Sequence, residues 1–304
     1  MENNHIQVNN HKKYLIGLLI AVVGAILFSG KAILAKLIYR YQVDAVTLLF
    51  FRMSFSLPFF AAIALWKTIT LPPLLKIDRF SIVILGLLGY YLSSFLDFLG
   101  LQYINAGLER LILFLTPSFV LLISVLFLKK RISRFEVGAL FVCYAGVVLV
   151  FIHDAFKGGK NIILGSVFVL GSAISYALYL IFSDKLVKRV GTLRLVAYAM
   201  CVSSLACIIQ FFTLRSASLL TQPLAVYGYS VMNAIFCTVM PVFLTMFAVE
   251  KIGASTASQA SMIGPVSTLI LGAFILNEPI TWIQIIGTLL VLSGIYLLSK
   301  KRIV

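Results

Sequence analysis

Two stretches that read alike decide the fold: residues 104–128, INAGLERLILFLTPSFVLLISVLFL, and residues 252–276, IGASTASQASMIGPVSTLILGAFIL. At an offset of 148 residues, Ile104, Ala106, Pro117, Leu121 and Leu128 align with Ile252, Ala254, Pro265, Leu269 and Leu276. Working outward at the same offset, Gly17, Ala25, Ile26 and Ile33 meet Gly165, Ala173, Ile174 and Ile181. Ser56 and Leu57 meet Ser204 and Leu205, and Ile132 and Gly146 meet Ile280 and Gly294. Apolar segments match by chance often, because few residue types are in use. The paired prolines and the constant offset lift this signal above chance and mark an internal duplication.

The apolar character extends over the whole chain. Of its 304 residues, 61% are hydrophobic and 12% charged. Soluble domains sit near 45–50% and about 25%. This composition argues against a soluble enzyme, a disordered tail or a nucleic-acid module. A helix needs about 20 apolar residues to cross hydrocarbon. That window predicts ten spans: 14–37, 45–66, 80–101, 105–128, 135–152, 162–183, 195–214, 225–248, 253–276 and 281–299. The expected class is therefore all-α integral membrane, with residues 14–152 and 162–299 as two five-helix repeats. The first span is expected to be a mature helix and not a signal peptide. Its apolar run is long, Lys31 and Lys36 follow, and no A-x-A site closes it. Cys143, Cys201, Cys207 and Cys237 lie in apolar runs without CxxC spacing, so neither a disulfide framework nor a zinc site is suggested.

The formal net charge of +15 has an orientational reading. With the N-terminus cytoplasmic, 17 of the 25 Lys and Arg fall on inner segments. Only Arg40, Lys157, Lys160 and Arg215 fall on outer ones. This asymmetry follows the positive-inside rule and predicts both termini in the cytoplasm. The expected location is a bacterial inner or plasma membrane, whose anionic lipid headgroups attract the basic loops. Five crossings per repeat is an odd number, so the second repeat enters from the opposite side. The expected relation is a pseudo-two-fold axis in the membrane plane, as in many secondary transporters with a midplane site at the repeat interface.

Several local motifs add to this. They are Phe28-Ser29-Gly30-Lys31 in the first span, Arg52 in the second, and Ala106 to Pro117 leading to Lys129-Lys130-Arg131. Leu276-Asn277-Glu278-Pro279-Ile280 then precedes a span holding Gly287 and Gly294. In these features the chain resembles the drug/metabolite transporter superfamily, in the form with two EamA-type repeats. The last stretch is similar to that family's Gly-Glu-Pro-type turn before its final helix. The first copy departs from it, with Lys129-Lys130-Arg131 where an acidic residue is usual. The resemblance implies transport of a metabolite, among them amino acids, nucleotide sugars, phosphorylated sugars and quaternary amines.

Ionisable side chains inside a bilayer cost a few kcal/mol at least and point to function. At about 1.5 Å rise per residue, Lys31, Arg52, Asp97, Glu109 and Arg110 all fall roughly 7–10 Å below the outer boundary. One reading makes this layer a vestibule wall. Lys31, Arg52 and Arg110 then hold a carboxylate or phosphate, while Asp97 or Glu109 meets an amine or carries a proton. The other reading is a closed lattice or outer gate, with pairs such as Lys31–Asp97 and Arg52–Glu109. Arg52 and Glu109 rank first within the layer. Glu109 and Arg110 are adjacent and point about 100° apart, so they face different neighbours. The second repeat has no matching charges. Tyr176, Tyr179 and Gln259 are its candidates for the neutral side of a cavity, with Tyr90 and Tyr91 behind them. Pro117 and Pro265 are expected to kink equivalent helices, as hinges or as static bends.

None of His5, His11 and His153 lies deep in a span, which disfavours an intramembrane metal site or histidine relay. No GxxxxGK[ST] loop is present, so transport driven by a gradient or by exchange is expected. The leading reading is a secondary active transporter, not an enzyme. It moves a small polar metabolite, amino-acid-like or anionic, by alternating access, as an exporter by proton antiport or as an exchanger. The alternatives are a channel and a lipid-handling membrane protein. The expected partners are a small-molecule substrate, protons in the antiport variant, and membrane lipids. No cofactor, metal or nucleic acid is implied, and oligomeric state is not legible.

Overall fold

Backbone N–H and C=O groups in hydrocarbon have no water to bond, so an apolar chain satisfies them within helices. The computed structural model follows this. It describes residues 2–128, 133–156, 161–216 and 220–300, and no described residue is in a strand. The helices are α1 (Glu2–Tyr39), α2 (Ala45–Thr70), α3 (Lys76–Gly86), α4 (Ser93–Leu101), α5 (Ala106–Leu113), α6 (Thr116–Leu128) and α7 (Arg134–Phe156). They continue as α8 (Ile162–Val190), α9 (Thr192–Leu214), α10 (Leu224–Ala234), α11 (Met240–Ala260), α12 (Ile263–Leu271) and α13 (Trp282–Lys300). π-helical turns at Leu87–Leu92 and Ile235–Val239 join α3 to α4 and α10 to α11, and a third follows α12 at Gly272–Leu276.

Among the described residues, eight helical stretches are long and apolar enough to cross a membrane, from Tyr14–Tyr39 to Leu224–Ile252. Two shorter apolar helices follow, Ile263–Leu276 and Trp282–Leu297. The chain is a multi-pass membrane protein.

Two boundaries differ from the sequence expectation. The stretch expected as one helix over 105–128 is interrupted at Phe114–Leu115, between α5 and α6. The junction expected at 249–252 lies instead at Ser261–Met262, because α11 continues to Ala260. Pro117 and Pro265 therefore sit in the first turns of α6 and α12. A first-turn N–H has no intrahelical acceptor, so proline removes nothing there. Each proline follows a two-residue interruption and does not bend a continuous helix.

The local devices recur at the repeat offset. The π turns start at Leu87 and Ile235. α7 and α13 open with the same reciprocal cap. The Ser133 N–H donates to Glu136 Oε2 at 2.7 Å and the Glu136 N–H to Ser133 Oγ at 3.3 Å. The Thr281 N–H donates to Gln284 Oε1 at 3.1 Å and the Gln284 N–H to Thr281 Oγ1 at 3.3 Å. Lys129-Lys130-Arg131, just ahead of the first cap, lie outside the described residues.

The two halves also touch each other reciprocally. The equivalent helices α7 and α13 pack together, as do α2 and α9. α1 packs on α11 and α12, while α8 packs on their counterparts α4, α5 and α6. Where α7 meets α13, Cys143 Sγ donates to the Val291 carbonyl at 3.7 Å, and these two residues occupy the same place in the two repeats. Glycine is required there by close approach. A Cβ at Gly146 would lie 2.6 Å from the Gly287 carbonyl oxygen, and one at Gly294 2.8 Å from that of Ala139. These are one contact made twice with the halves exchanged. Small residues let membrane helices approach in this way.

Leucine at Gly146 or Gly294 should therefore overpack this seam by about 1–3 kcal/mol and lower the melting temperature of the purified protein. Gly138→Ala, with open space at its Cβ, should leave it unchanged. Equal melting temperatures for all three variants would contradict the close approach.

Candidate functional site

The five ionisable residues of the expected layer are all buried: Lys31 6%, Arg52 4%, Asp97 2%, Glu109 0% and Arg110 6% exposed. The structure brings them together from α1, α2, α4 and α5. Asn105 positions Glu109 and Arg110 by capping α5, its Oδ1 accepting the Leu108 N–H at 2.7 Å. Lys31 sits at the centre. It pairs with Asp97, and its Nζ lies 3.4 Å from Glu109 Oε1. The ammonium also faces the rings of Phe28 at 5.3 Å and Phe98 at 5.6 Å, an arrangement that favours a cation.

Arg52 does not pair with Glu109, as one expectation had it. Its Nε donates across the repeat boundary to Thr238 Oγ1 at 2.8 Å. The reason is local. Thr238 lies in the π turn at Ile235–Val239, and its Oγ1 donates to the Asn233 carbonyl at 3.0 Å. The hydroxyl's lone pairs are then left facing Arg52. The guanidinium lies over the Phe98 ring at 5.1 Å, and its Nη1 has no hydrogen-bond partner among the described residues.

Arg110 points away from Glu109, as adjacent helical residues must. It lies over Phe28 at 5.0 Å and Phe114 at 5.3 Å. Its Nη2 approaches α12, where a Cβ on Gly264 would stand 2.5 Å away. Among the described residues its Nε is buried without a hydrogen bond, as are both oxygens of Glu109 and Asp97 Oδ1. The α1–α12 seam beside it is closed by Ser29, whose Oγ donates to the Gly264 carbonyl at 3.1 Å.

A second polar cluster is phenolic. Tyr90, on the π turn after α3, meets Tyr176 and Tyr179 of α8. The Tyr90 and Tyr179 hydroxyls are 3.2 Å apart. Ring centroids are 5.0 Å apart for Tyr90–Tyr179, 5.5 Å for Tyr176–Tyr179 and 6.5 Å for Tyr90–Tyr176. Tyr91 turns aside to stack on Phe95 at 6.4 Å. The side chain of Gln259 lies outside the described residues. Among the described residues, no group of His, Cys, Asp and Glu could hold a metal ion.

Sequence reasoning gave no role to the ring of Phe28, to Phe98, to Asn233 or to Thr238. A signal for two of them was available. At the repeat offset Phe28 and Lys31 correspond to Tyr176 and Tyr179, and Tyr90 corresponds to Thr238. The ionic and phenolic clusters therefore occupy equivalent positions in the two halves.

Comparison with known proteins agrees with this picture. The EamA-like transporter family profile matches twice, over residues 15–152 and 163–300. An uncharacterized transporter of Bacillus subtilis (strain 168), YcbK, is 31% identical over 286 residues, which is 89% of this chain and 88% of the relative. A protein of Escherichia coli (strain K12) named "Probable amino-acid metabolite efflux pump" is 26% identical over 250 residues, covering 75% of this chain and 81% of that protein. One solved crystal structure shares the fold with a TM-score of 0.65 at 16% identity, covering 94% of this chain and 98% of the other.

Truncating one member of the central pair should expose how tightly the charges depend on each other. Lys31→Met leaves Asp97, and Glu109 behind it, buried without their cation and should cost roughly 3–5 kcal/mol. The double variant Lys31→Met/Asp97→Leu should recover much of that loss. Thermal denaturation of the three proteins checks it, and a double variant less stable than the single one would contradict the pairing.

Proposed function

Because the chain belongs to the EamA-like transporter family, we propose that it is a secondary active transporter that moves a small polar metabolite by alternating access. In this reading ten transmembrane helices form two inverted five-helix units, residues 14–152 and 162–299. Both termini are cytoplasmic and the protein lies in a bacterial plasma membrane. The reciprocal contacts support a two-fold relation between the halves, and five crossings per unit make that relation an inversion. A two-fold relation makes residue i touch j and its equivalent touch i's equivalent, as Gly146–Gly287 and Ala139–Gly294 do.

The observation that carries the functional reading is the mismatch of charge at the repeat boundary. The layer holds three buried cations and two buried anions, and among the described residues Arg52 Nη1 and Arg110 Nε have no hydrogen-bond partner. Each buried ion costs several kcal/mol of desolvation. A charge pair at 4 Å returns about 4 kcal/mol at an effective dielectric of 20, and Lys31 supplies only two such contacts. A lattice kept for stability alone would do better with apolar residues. An anionic group entering between α2, α5 and the second repeat would instead complete the layer. Arg52 and Arg110 are the residues for it, since guanidinium offers a fork matched to carboxylate or phosphate. Asp97 and Glu109 are the groups to meet an amine or to exchange a proton, which suits export by proton antiport or an exchange cycle.

The equivalent phenolic cluster supports a second closure. In an inverted pair, positions 28, 31 and 238 lie towards one membrane face and positions 176, 179 and 90 towards the other. Two similar halves then have two packings, one opening each cluster in turn. The substrate class is amino-acid-like or otherwise anionic. The name of the Escherichia coli relative is in keeping with the first.

Counterflow in proteoliposomes with a panel of L-amino acids and sugar phosphates tests the reading. The unmodified protein should exchange at least one of them. Arg52→Ala and Glu109→Gln should each reduce that exchange at least tenfold while the protein remains folded. Unaltered exchange by both variants would overturn the role given to this layer.

A further inference from the structure

A third polar constellation lies at the end of α1, beyond the layer described above. The last turn of α1 and the residue after it supply Lys36, Tyr39 and Arg40, and the turn ahead of α13 supplies Leu276 and Glu278. These five residues line a cavity of about 280 Å³. Pockets for drug-sized ligands run from about 300 to 1,000 Å³, so this one suits a smaller molecule.

The turn is built to present Glu278. Asn277 adopts the left-handed conformation (φ 59°), which reverses the chain. The Glu278 N–H then donates to the Gly272 carbonyl at 3.1 Å, and the carboxylate folds back beside Gly272, where a Cβ would stand 3.1 Å from Glu278 Oε2. Burial pushes the Glu278 carboxyl above the ordinary glutamate range, and Lys36 opposes that shift. The other groups facing it are Arg40 on α1 and Asp154 on α7. Arg40 uses one Nη2 bond on the Leu276 carbonyl at 3.1 Å, and the Tyr39 hydroxyl donates to the Phe98 carbonyl at 2.6 Å. Lys36 is half-buried, and among the described residues it makes no ion pair within 4.0 Å, Glu278 included.

A structural lock would close the Lys36–Glu278 pair. Here both line an open cavity without forming an ion pair within 4.0 Å, and Arg40 lines it with them. Two cations and one carboxylate separated by a small void match a molecule that carries a carboxylate and an ammonium. We propose that this cavity is a recognition site at the outer mouth for a small α-amino-acid-type zwitterion, with Lys36 and Arg40 receiving its carboxylate and Glu278 its ammonium. The outer placement rests on the orientation given under Proposed function. Lys36 stands five residues beyond Lys31 on α1, about 7.5 Å along the axis. A molecule held here is therefore next to the buried layer and is either on its way in or newly released.

The test is a thermal-shift assay on the full-length protein in detergent, with the twenty L-α-amino acids at millimolar concentration. Each is compared with its N-acetyl and carboxamide derivatives. At least one free amino acid should raise the melting temperature by roughly 2–4 °C, and neither blocked form should do so. Lys36→Met, which orphans no partner, and Glu278→Gln should both abolish the shift. Arg52→Ala should keep the shift while losing counterflow. The site is overturned if no amino acid shifts the unmodified protein, if blocked forms shift it equally, or if Lys36→Met retains the full shift. Loss of the shift in Arg52→Ala would place binding in the deeper layer, overturning this site while leaving the transporter reading intact. Normal counterflow by Arg52→Ala with the shift preserved would do the reverse.

Discussion

The contact of one helix with its own counterpart is the constraint on which the rest depends. Cys143 and Val291 hold the same place in two repeats and touch each other across the α7–α13 seam. A position in contact with its own equivalent lies on the symmetry axis of the pair. That single fact fixes the remaining contacts. If α7 rests on α13 about such an axis, α1 and α8 must find equivalent partners in the opposite halves, and they do. Glycines at the seam permit the approach, and the hydrocarbon surroundings demand that close packing, not water exclusion, hold the helices together.

Symmetric backbones carrying unlike side chains explain how one fold can separate closure from recognition. The position filled by Lys31 in one half is filled by Tyr179 in the other. One cluster is held by ion pairs and the other by phenol rings in contact. The two have different sensitivities to a bound charge, and this asymmetry gives the proposed cycle a direction of chemical control. An anion alters the balance of the ionic cluster and leaves the phenolic one electrostatically untouched. In the proposed orientation the cavity at Lys36 and Glu278 extends the ionic side towards the outer face, with two carboxylates in the buried layer and one lining the cavity.

Much of this was legible in the sequence because the governing rules are coarse. Apolar runs give helices, and charges cannot be scattered in hydrocarbon, so Lys31, Asp97 and Glu109 were bound to converge. The duplication was legible because equivalent prolines and glycines answer to the same backbone needs. The partner of Arg52 was not legible. It depends on a π turn that carries Thr238, whose buried hydroxyl bonds the Asn233 carbonyl and receives Arg52, and hydrophobic periodicity carries no mark of a π turn. The interruptions at Phe114–Leu115 and Ser261–Met262 were hidden for a similar reason, since apolar residues continue across them. Tyr90 joined Tyr176 and Tyr179, but Tyr91 did not. A difference of one residue on a wound-out turn decides which ring faces inward.

Inversion is most directly tested by labelling equivalent loops from each side of the membrane. Tyr41→Cys follows α1, and Lys188→Cys lies near the end of α8, one residue short of the repeat equivalent of Tyr41. Both positions are exposed, and the unmodified chain supplies the background from its own cysteines. An impermeant thiol reagent applied to intact cells should label Tyr41→Cys and spare Lys188→Cys, and inside-out vesicles should give the reverse. Labelling of both from the same side would mean that the halves are parallel, and the two-way route built on them would fall with that result.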